Sequence, residues 1–282
     1  MSFINDISNG VTSKLRLFAD DCLIYRPIHN INDTIAFQQD LNKLHQWSTT
    51  WLMKFNTDKC HTMRIALRSK LVKANYHLGG CPLSMVSEYP YLGLTITKNM
   101  SWQTHIDNVS AKANRMLGLI RRNLRGSSQK LRQKAYQSLV RSQVEYCSSI
   151  WNPFTQKDID KIESIQRRGA RFVTNSYSWK ISVSNLINDL KWESLEKRRQ
   201  AASLCLMYKI HNNLVAIDPT PFISPMAPSI TRSYHPDKYQ PIASRIKISK
   251  FSFFPRTIKW WNALPDEVLA SPTIEAFRDA VY

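Results

Sequence analysis

Leu15-Arg16-Leu17-Phe18-Ala19-Asp20-Asp21-Cys22-Leu23-Ile24-Tyr25 is the stretch from which the rest of the chain is read. Two short apolar runs flank an adjacent pair of aspartates. In an extended chain Leu15, Leu17 and Ala19 fall on one face, Arg16 and Phe18 on the other. Asp-Asp is good turn chemistry, so the stretch predicts strand, tight turn, strand. Asp20 and Asp21 at the tip admit two readings. One is a solvated hairpin turn, for Asp-rich turns are common. The other is a divalent-metal site: a hard cation such as Mg²⁺ takes oxygen ligands, usually one or two carboxylates plus substrate phosphates. Two-metal phosphoryl transfer is built from such clusters.

Working outward, 282 residues are enough for one large or two ordinary domains with a real core. No run of 18 apolar residues occurs, so no membrane span is expected. Met1 is followed by no basic, apolar, small-residue series, so the chain is expected to be intracellular, in nucleus or cytoplasm, and not secreted. Five scattered cysteines, an odd number, suit a reducing compartment. Cys60-His61 with His77 and Cys81 fits no zinc spacing, and buried small cysteines are the expectation there.

Charge is the informative bulk property. The net charge of +18 is concentrated in the middle of the chain. Residues 98–215 hold 21 Lys+Arg against 8 Asp+Glu, whereas residues 1–97 hold 10 against 7 and residues 216–282 hold 8 against 6. Such a field on a folded region predicts a polyanionic partner, with counterion release supplying affinity.

The pattern divides the chain in three. Residues 1–97 read as α+β. Asn32 or Asp33 can cap a helix with Phe37, Leu41, Leu44, Trp47 and Trp51 on one face, packed across the back of the hairpin. A strand from Cys60 to Leu67 and short strands around Tyr76, Leu83 and Tyr89–Ile96 would complete a small antiparallel sheet. The hairpin's open side predicts an unpaired edge and exposed apolar surface. Residues 98–215 turn helical, with Gly126 as a C-cap and helices at about 129–149, 157–173 and from Trp192. Their apolar stripes predict a helical bundle. Their polar faces carry Lys112, Arg115, Arg122, Arg125, Lys161, Arg167, Arg168 and Arg171, the candidate phosphate contacts. Residues 216–282 begin with a proline-rich stretch, read as a linker or irregular arm, and close with aromatic segments expected to dock on the bundle.

Taken in order, several segments resemble the reverse transcriptase of non-LTR (LINE-type) retrotransposons, from the end of the palm through the thumb. They are Ile4-Asn5-Asp6-Ile7 before Leu17-Phe18-Ala19-Asp20-Asp21, Trp47 and Trp51 with Lys54-Phe55-Asn56, Lys59-Cys60, and Tyr91-Leu92-Gly93. Next come Ser101-Trp102-Gln103-Thr104-His105-Ile106, Glu145-Tyr146, Trp151-Asn152-Pro153 and Ile165-Gln166-Arg167-Arg168. Phe253-Phe254-Pro255-Arg256 and Trp261-Asn262-Ala263-Leu264-Pro265 are the last.

The resemblance implies a truncated polymerase palm carrying the catalytic hairpin, followed by a mainly helical, thumb-like bundle. It implies that Asp20 and Asp21 face Mg²⁺ and that Lys59 lies on the next palm strand, near the leaving pyrophosphate. Tyr91, Leu92 and Gly93 would form a primer-grip-like turn. The partners implied are an RNA template and an RNA/DNA or DNA duplex. The family's fingers and its first catalytic aspartate have no counterpart here, since Asp6 is the only acidic residue before the hairpin. Two carboxylates at one tip do not readily hold two ions about 3.5–4 Å apart. A polymerase fragment inactive by itself is therefore expected, with a non-catalytic nucleic-acid-binding remnant as the alternative.

Overall fold

Lys14–Phe18 (β1) and Asp21–Tyr25 (β2) pair antiparallel, in register from Lys14 opposite Tyr25 to Phe18 opposite Asp21. The computed structural model in which they pair describes residues 6–66, 72–227 and 235–282. Two compact units divide after Met100. Ile4 and Asn5 of the motif before the hairpin, Leu67 of the expected strand, and Pro228 of the proline-rich stretch lie outside the described residues.

In the first unit the long helix α1 (Ile31–Thr50) starts two residues earlier than the capping pattern suggested. Asn30 is the cap: its side chain accepts from Asp33 N at 3.1 Å while the Asp33 carboxylate accepts from Asn30 N at 3.1 Å. This reciprocal pair satisfies two amides that the first helical turn leaves unpaired. Leu41 and Leu44 are buried with Ile7 and Leu78, and Leu15 of β1 and Ile24 of β2 pack on the same cluster. The helix therefore covers the back of the hairpin, as its spacing predicts. Beyond that contact the hairpin is open, with Leu17, Phe18, Leu23 and Tyr25 all exposed.

Asp40 ties the helix to the chain entering β1. Its side chain is 1% exposed, yet it accepts from Ser13 N and Oγ at 2.7 Å each and from Thr12 N at 3.0 Å and Oγ1 at 2.8 Å. Burial pushes this carboxyl up, but the four hydrogen bonds outweigh burial and hold it down at about 2.

The remaining strands are shorter than expected. β3 (His61–Thr62) keeps only the first part of the predicted strand. β4 (His77–Leu78) and β5 (Cys81–Pro82) form a hairpin around Gly79 and Gly80, whose φ values of 58° and 82° suit glycine. β6 (Ser84–Met85) runs parallel to β3, and β7 (Glu88–Tyr91) pairs antiparallel with β8 (Leu94–Thr97). Among the described residues the strands make four separate two-stranded pairings, not one antiparallel sheet.

The second unit is helical. α2 (Gln103–Asn123) ends at Leu124, and Gly126 has no left-handed backbone, so it is not the C-cap. The helix expected at 129–149 is interrupted. α3 (Gln129–Tyr136) passes into a π-turn at Gln137–Arg141 and then α4 (Ser142–Glu145). Cys147, at φ 51°, breaks the run before α5 (Ser148–Trp151). The break lets Trp151 enter the core, 0% exposed, with its indole N–H donating to Tyr146 O at 2.8 Å. α6 (Gln156–Thr174), α7 (Val183–Asp189) and α8 (Leu195–His211) complete the bundle.

After α8 come α9 (Lys247–Lys250), α10 (Phe253–Asn262), α11 (Asp266–Leu269) and α12 (Ile274–Val281). Ile258, Trp261, Leu269 and Phe277 pack on Leu204, Met207 and Tyr208 of α8, so the aromatic close of the chain belongs to this unit. The described part of the proline-rich stretch is irregular but pinned, unlike a linker. Ile223 lies in the same cluster, Tyr239 exchanges two hydrogen bonds with the Asn262 side chain, and Trp261 Nε1 donates to Asp237 O at 2.8 Å.

Two predictions follow from this packing. Asp40→Ala strands four donors and should cost the first unit about 3 kcal/mol in chemical denaturation. Because the folded carboxyl titrates below its unfolded value of 3.8, its contribution is present above that pH and is lost as pH falls toward about 2. Acid unfolding of Asp40→Asn should lack that component. In the second unit a Cβ on Gly169 would overlap the Tyr136 ring, which itself stacks on Trp192 at 4.8 Å. Gly169→Ala should cost about 1–3 kcal/mol through overpacking, although alanine is the better helix former.

Candidate functional site

The tip of the β1–β2 hairpin is a two-residue turn, Ala19 and Asp20, with Ala19 at φ 51°. Asp20 sits in the turn and Asp21 opens β2; both are exposed. The β7–β8 turn is equally tight. Leu92 and Gly93 have φ of 47° and 81°, the two left-handed residues that a type I′ hairpin turn requires. The two tips lie in each other's field. Burial raises the Tyr91 hydroxyl, and the charges of Asp21 and then Cys22 raise it further. Asp21 therefore acts on Tyr91, the residue that leads into the 91–93 turn.

Lys59 is placed differently from what the resemblance implies. It ends a 3₁₀ turn, Thr57–Lys59, exposed and two residues short of β3. Asn56 explains this: its side chain accepts from Asp58 N at 3.1 Å and its carbonyl from Lys59 N at 3.0 Å, closing the turn before a strand can start. The Lys59 carbonyl accepts from Tyr89 Oη at 3.4 Å, so the residue lies beside β7. Asp6 has a structural partner, accepting from Trp47 Nε1 at 2.7 Å.

Asp20 and Asp21 offer the hard oxygen donors that Mg²⁺ takes. Among the described residues, no group of three His, Cys, Asp or Glu side chains that could hold a metal ion is found. The pair fits one edge of an ion site.

In the second unit α2 and α6 run parallel and in register. Lys161 Nζ bonds Asp107 Oδ1 at 2.5 Å and Arg168 Nη1 bonds Asn114 Oδ1 at 2.8 Å. Both pairs are separated by 54 residues, so the rungs stay level seven residues further along each helix. The bond from Lys161 holds the Asp107 carboxyl below its usual range. These rungs divide the predicted cations. Lys112, Arg115, Arg122, Arg125 and Arg167 are exposed. Lys161 and Arg168 are used as rungs, and Arg171 Nη1 donates to Ser178 O at 3.1 Å, closing the loop after α6. Arg121 and Arg132, absent from the sequence reading, join Arg122 and Arg125 around a cavity of about 700 Å³. Arg121 had a legible signal, being adjacent to Arg122 in the last turn of α2; Arg132 had none.

Other motif residues prove to be joints. Glu145 takes a two-pronged bond from Arg198, whose guanidinium is held in its charged form by it. Gln166, 1% exposed, donates to Glu193 O at 2.9 Å. Asn152 accepts from the buried Arg199 Nε at 2.9 Å.

With this geometry in view, the comparisons are informative. The chain is related to part of the reverse transcriptases, RNA-directed DNA polymerases, of non-LTR mobile elements. It is 24% identical over 207 residues to the RNA-directed DNA polymerase from mobile element jockey of Drosophila melanogaster, covering 71% of this chain and 22% of that protein. To the probable RNA-directed DNA polymerase from transposon X-element of the same species it is 23% identical over 192 residues, 66% of this chain and 21% of the relative. A third relative, the probable polymerase from transposon BS, is 25% identical over 192 residues, 65% and 21% of the two chains. The chain therefore spans about a fifth of the length of the curated relatives it matches. No family model matches the chain, and no solved structure does. Among the described residues no helix is long and apolar enough to cross a membrane.

The donor set makes a direct prediction. Calorimetric titration of the chain with Mg²⁺ or Mn²⁺ should show only weak binding without nucleic acid. Tight, stoichiometric binding abolished by Asp20→Ala would mean that further ligands complete the site.

Proposed function

We propose that the chain is the end of the palm and the thumb-like region of a non-LTR retrotransposon reverse transcriptase. Its second unit grips the RNA/DNA or DNA duplex formed on an RNA template, and the chain alone does not polymerise. The observation that carries the grip is the parallel α2–α6 pair. Its rungs tie Lys161 to Asp107 and Arg168 to Asn114, and Lys112, Arg115 and Arg167 are exposed on the same two helices. Cations spread over two neighbouring helices suit separate phosphates, and contacts to phosphate position a duplex without reading its bases.

In the first unit Asp20 and Asp21 would hold a Mg²⁺ ion, which when bound polarises phosphoryl oxygens as a Lewis acid. The hairpin supplies orientation: the register of β1 against β2 presents both carboxylates at one tip, and α1 fixes its base. The 91–93 turn beside it is suited to support a primer end. Two carboxylates alone favour the reading without turnover. Primer extension above background by this chain, lost in Asp20→Ala, would overturn it.

Binding to a blunt RNA/DNA hybrid should show little sequence preference. If about six phosphates are neutralised, log K should fall against log salt with a slope of roughly −5. Changing Lys112, Arg115 and Arg167 together to Gln should weaken binding to every sequence alike and flatten that slope by up to about 3. Circular dichroism should not change, since all three are exposed. Salt-independent binding would show that phosphates are not the target.

A further inference from the structure

The in-register packing of α2 and α6 brings their C-terminal ends together, and the cavity of about 700 Å³ opens there. Arg121, Arg122, Arg125 and Arg132 line it, with Phe172 and Tyr177, and no lining residue is acidic. Among the described residues none of the four arginines forms an ion pair. Two are fixed in place. Arg132 donates through Nε to Val173 O at 3.0 Å and through Nη1 to Ser127 O at 2.5 Å, and Arg121 lies 4.8 Å over the Tyr177 ring. The partial negative charge of two helix C-termini favours cations here. It amounts to about half a charge per helix, against four guanidiniums. The balance calls for an anion, and guanidinium forks match phosphate in particular.

A second observation narrows the ligand. Asn175 ends α6 in the left-handed region at φ 55°, and the loop that follows is held by Arg171 to Ser178 O. Two residues beyond Tyr177 this loop displays Trp179, 86% exposed, with the Lys180 ammonium 5.8 Å from its ring. An indole left in water, two residues along the chain from a residue that lines the cationic cavity, is a stacking platform of the kind that binds unpaired bases. A duplex keeps its bases inside its own stack and offers only phosphates. We infer that the cavity and Trp179 hold a single-stranded nucleic-acid segment, a phosphate among the arginines and a base against the indole. This rests on the proposed nucleic-acid function but uses different residues from the duplex grip.

The test compares two labelled probes by fluorescence anisotropy on the full chain: oligo(U) of about 12 nucleotides, within the usual single-strand site size, and a blunt RNA/DNA hybrid. Trp179→Ala should weaken oligo(U) binding about tenfold, the effect of losing one stacked base, and leave the hybrid within about twofold. Trp179→Phe should recover most of the loss. Arg121→Gln with Arg125→Gln should weaken oligo(U) and flatten its salt slope by about 2. An unchanged oligo(U) affinity in Trp179→Ala, or equal losses on both probes, would overturn the inference. Hybrid binding that survives the Lys112, Arg115 and Arg167 changes while Trp179→Ala still costs oligo(U) would instead sink the duplex grip alone.

Discussion

Arg199 is fully buried, and its Nε donates to the Asn152 side chain at 2.9 Å. Nearby, Arg256 reaches from α10 to Ser149 O at 2.6 Å and Phe251 O at 2.8 Å. Both arginines converge on the short turn around α5, so three separate parts of the second unit meet at one polar joint. Burying two guanidiniums side by side is expensive. Burial first, and then the charge of Arg199, pulls Arg256 down to about 10. The carboxylates of Glu163, Glu196 and Glu145 offset part of the burial penalty on Arg199. This joint explains why the helix after α3 must break at Cys147: an unbroken helix would carry Trp151 and Asn152 away from it.

The first unit uses the opposite device. One buried carboxylate, Asp40, gathers four donors from Thr12 and Ser13 and fixes where the chain enters β1. The base of the hairpin is thereby specified, while its tip is free of packing. Leu17, Phe18, Leu23 and Tyr25 leave apolar surface exposed along the hairpin.

The basic character of the second unit is divided among three uses. Some cations lock helices, as Lys161 and Arg168 do; some close chain ends, as Arg132 and Arg171 do. The remainder face solvent.

The hairpin with Asp20 and Asp21, the helix behind it and the amphipathic α2 and α6 were legible from local pattern, because period-2 and period-3.6 burial are written in the residues themselves. So was the excess of positive charge in the middle of the chain. The tertiary structure alone decided which cations are spent as rungs, since Asp107 and Asn114 lie 54 residues from their partners. It also decided that Arg132 joins Arg121, Arg122 and Arg125 and that the proline-rich stretch is pinned by Trp261 and Asn262. Those outcomes depend on which side chains meet across long sequence separations. Local periodicity carries no information about such meetings; packing and the need to pair buried polar groups supply it.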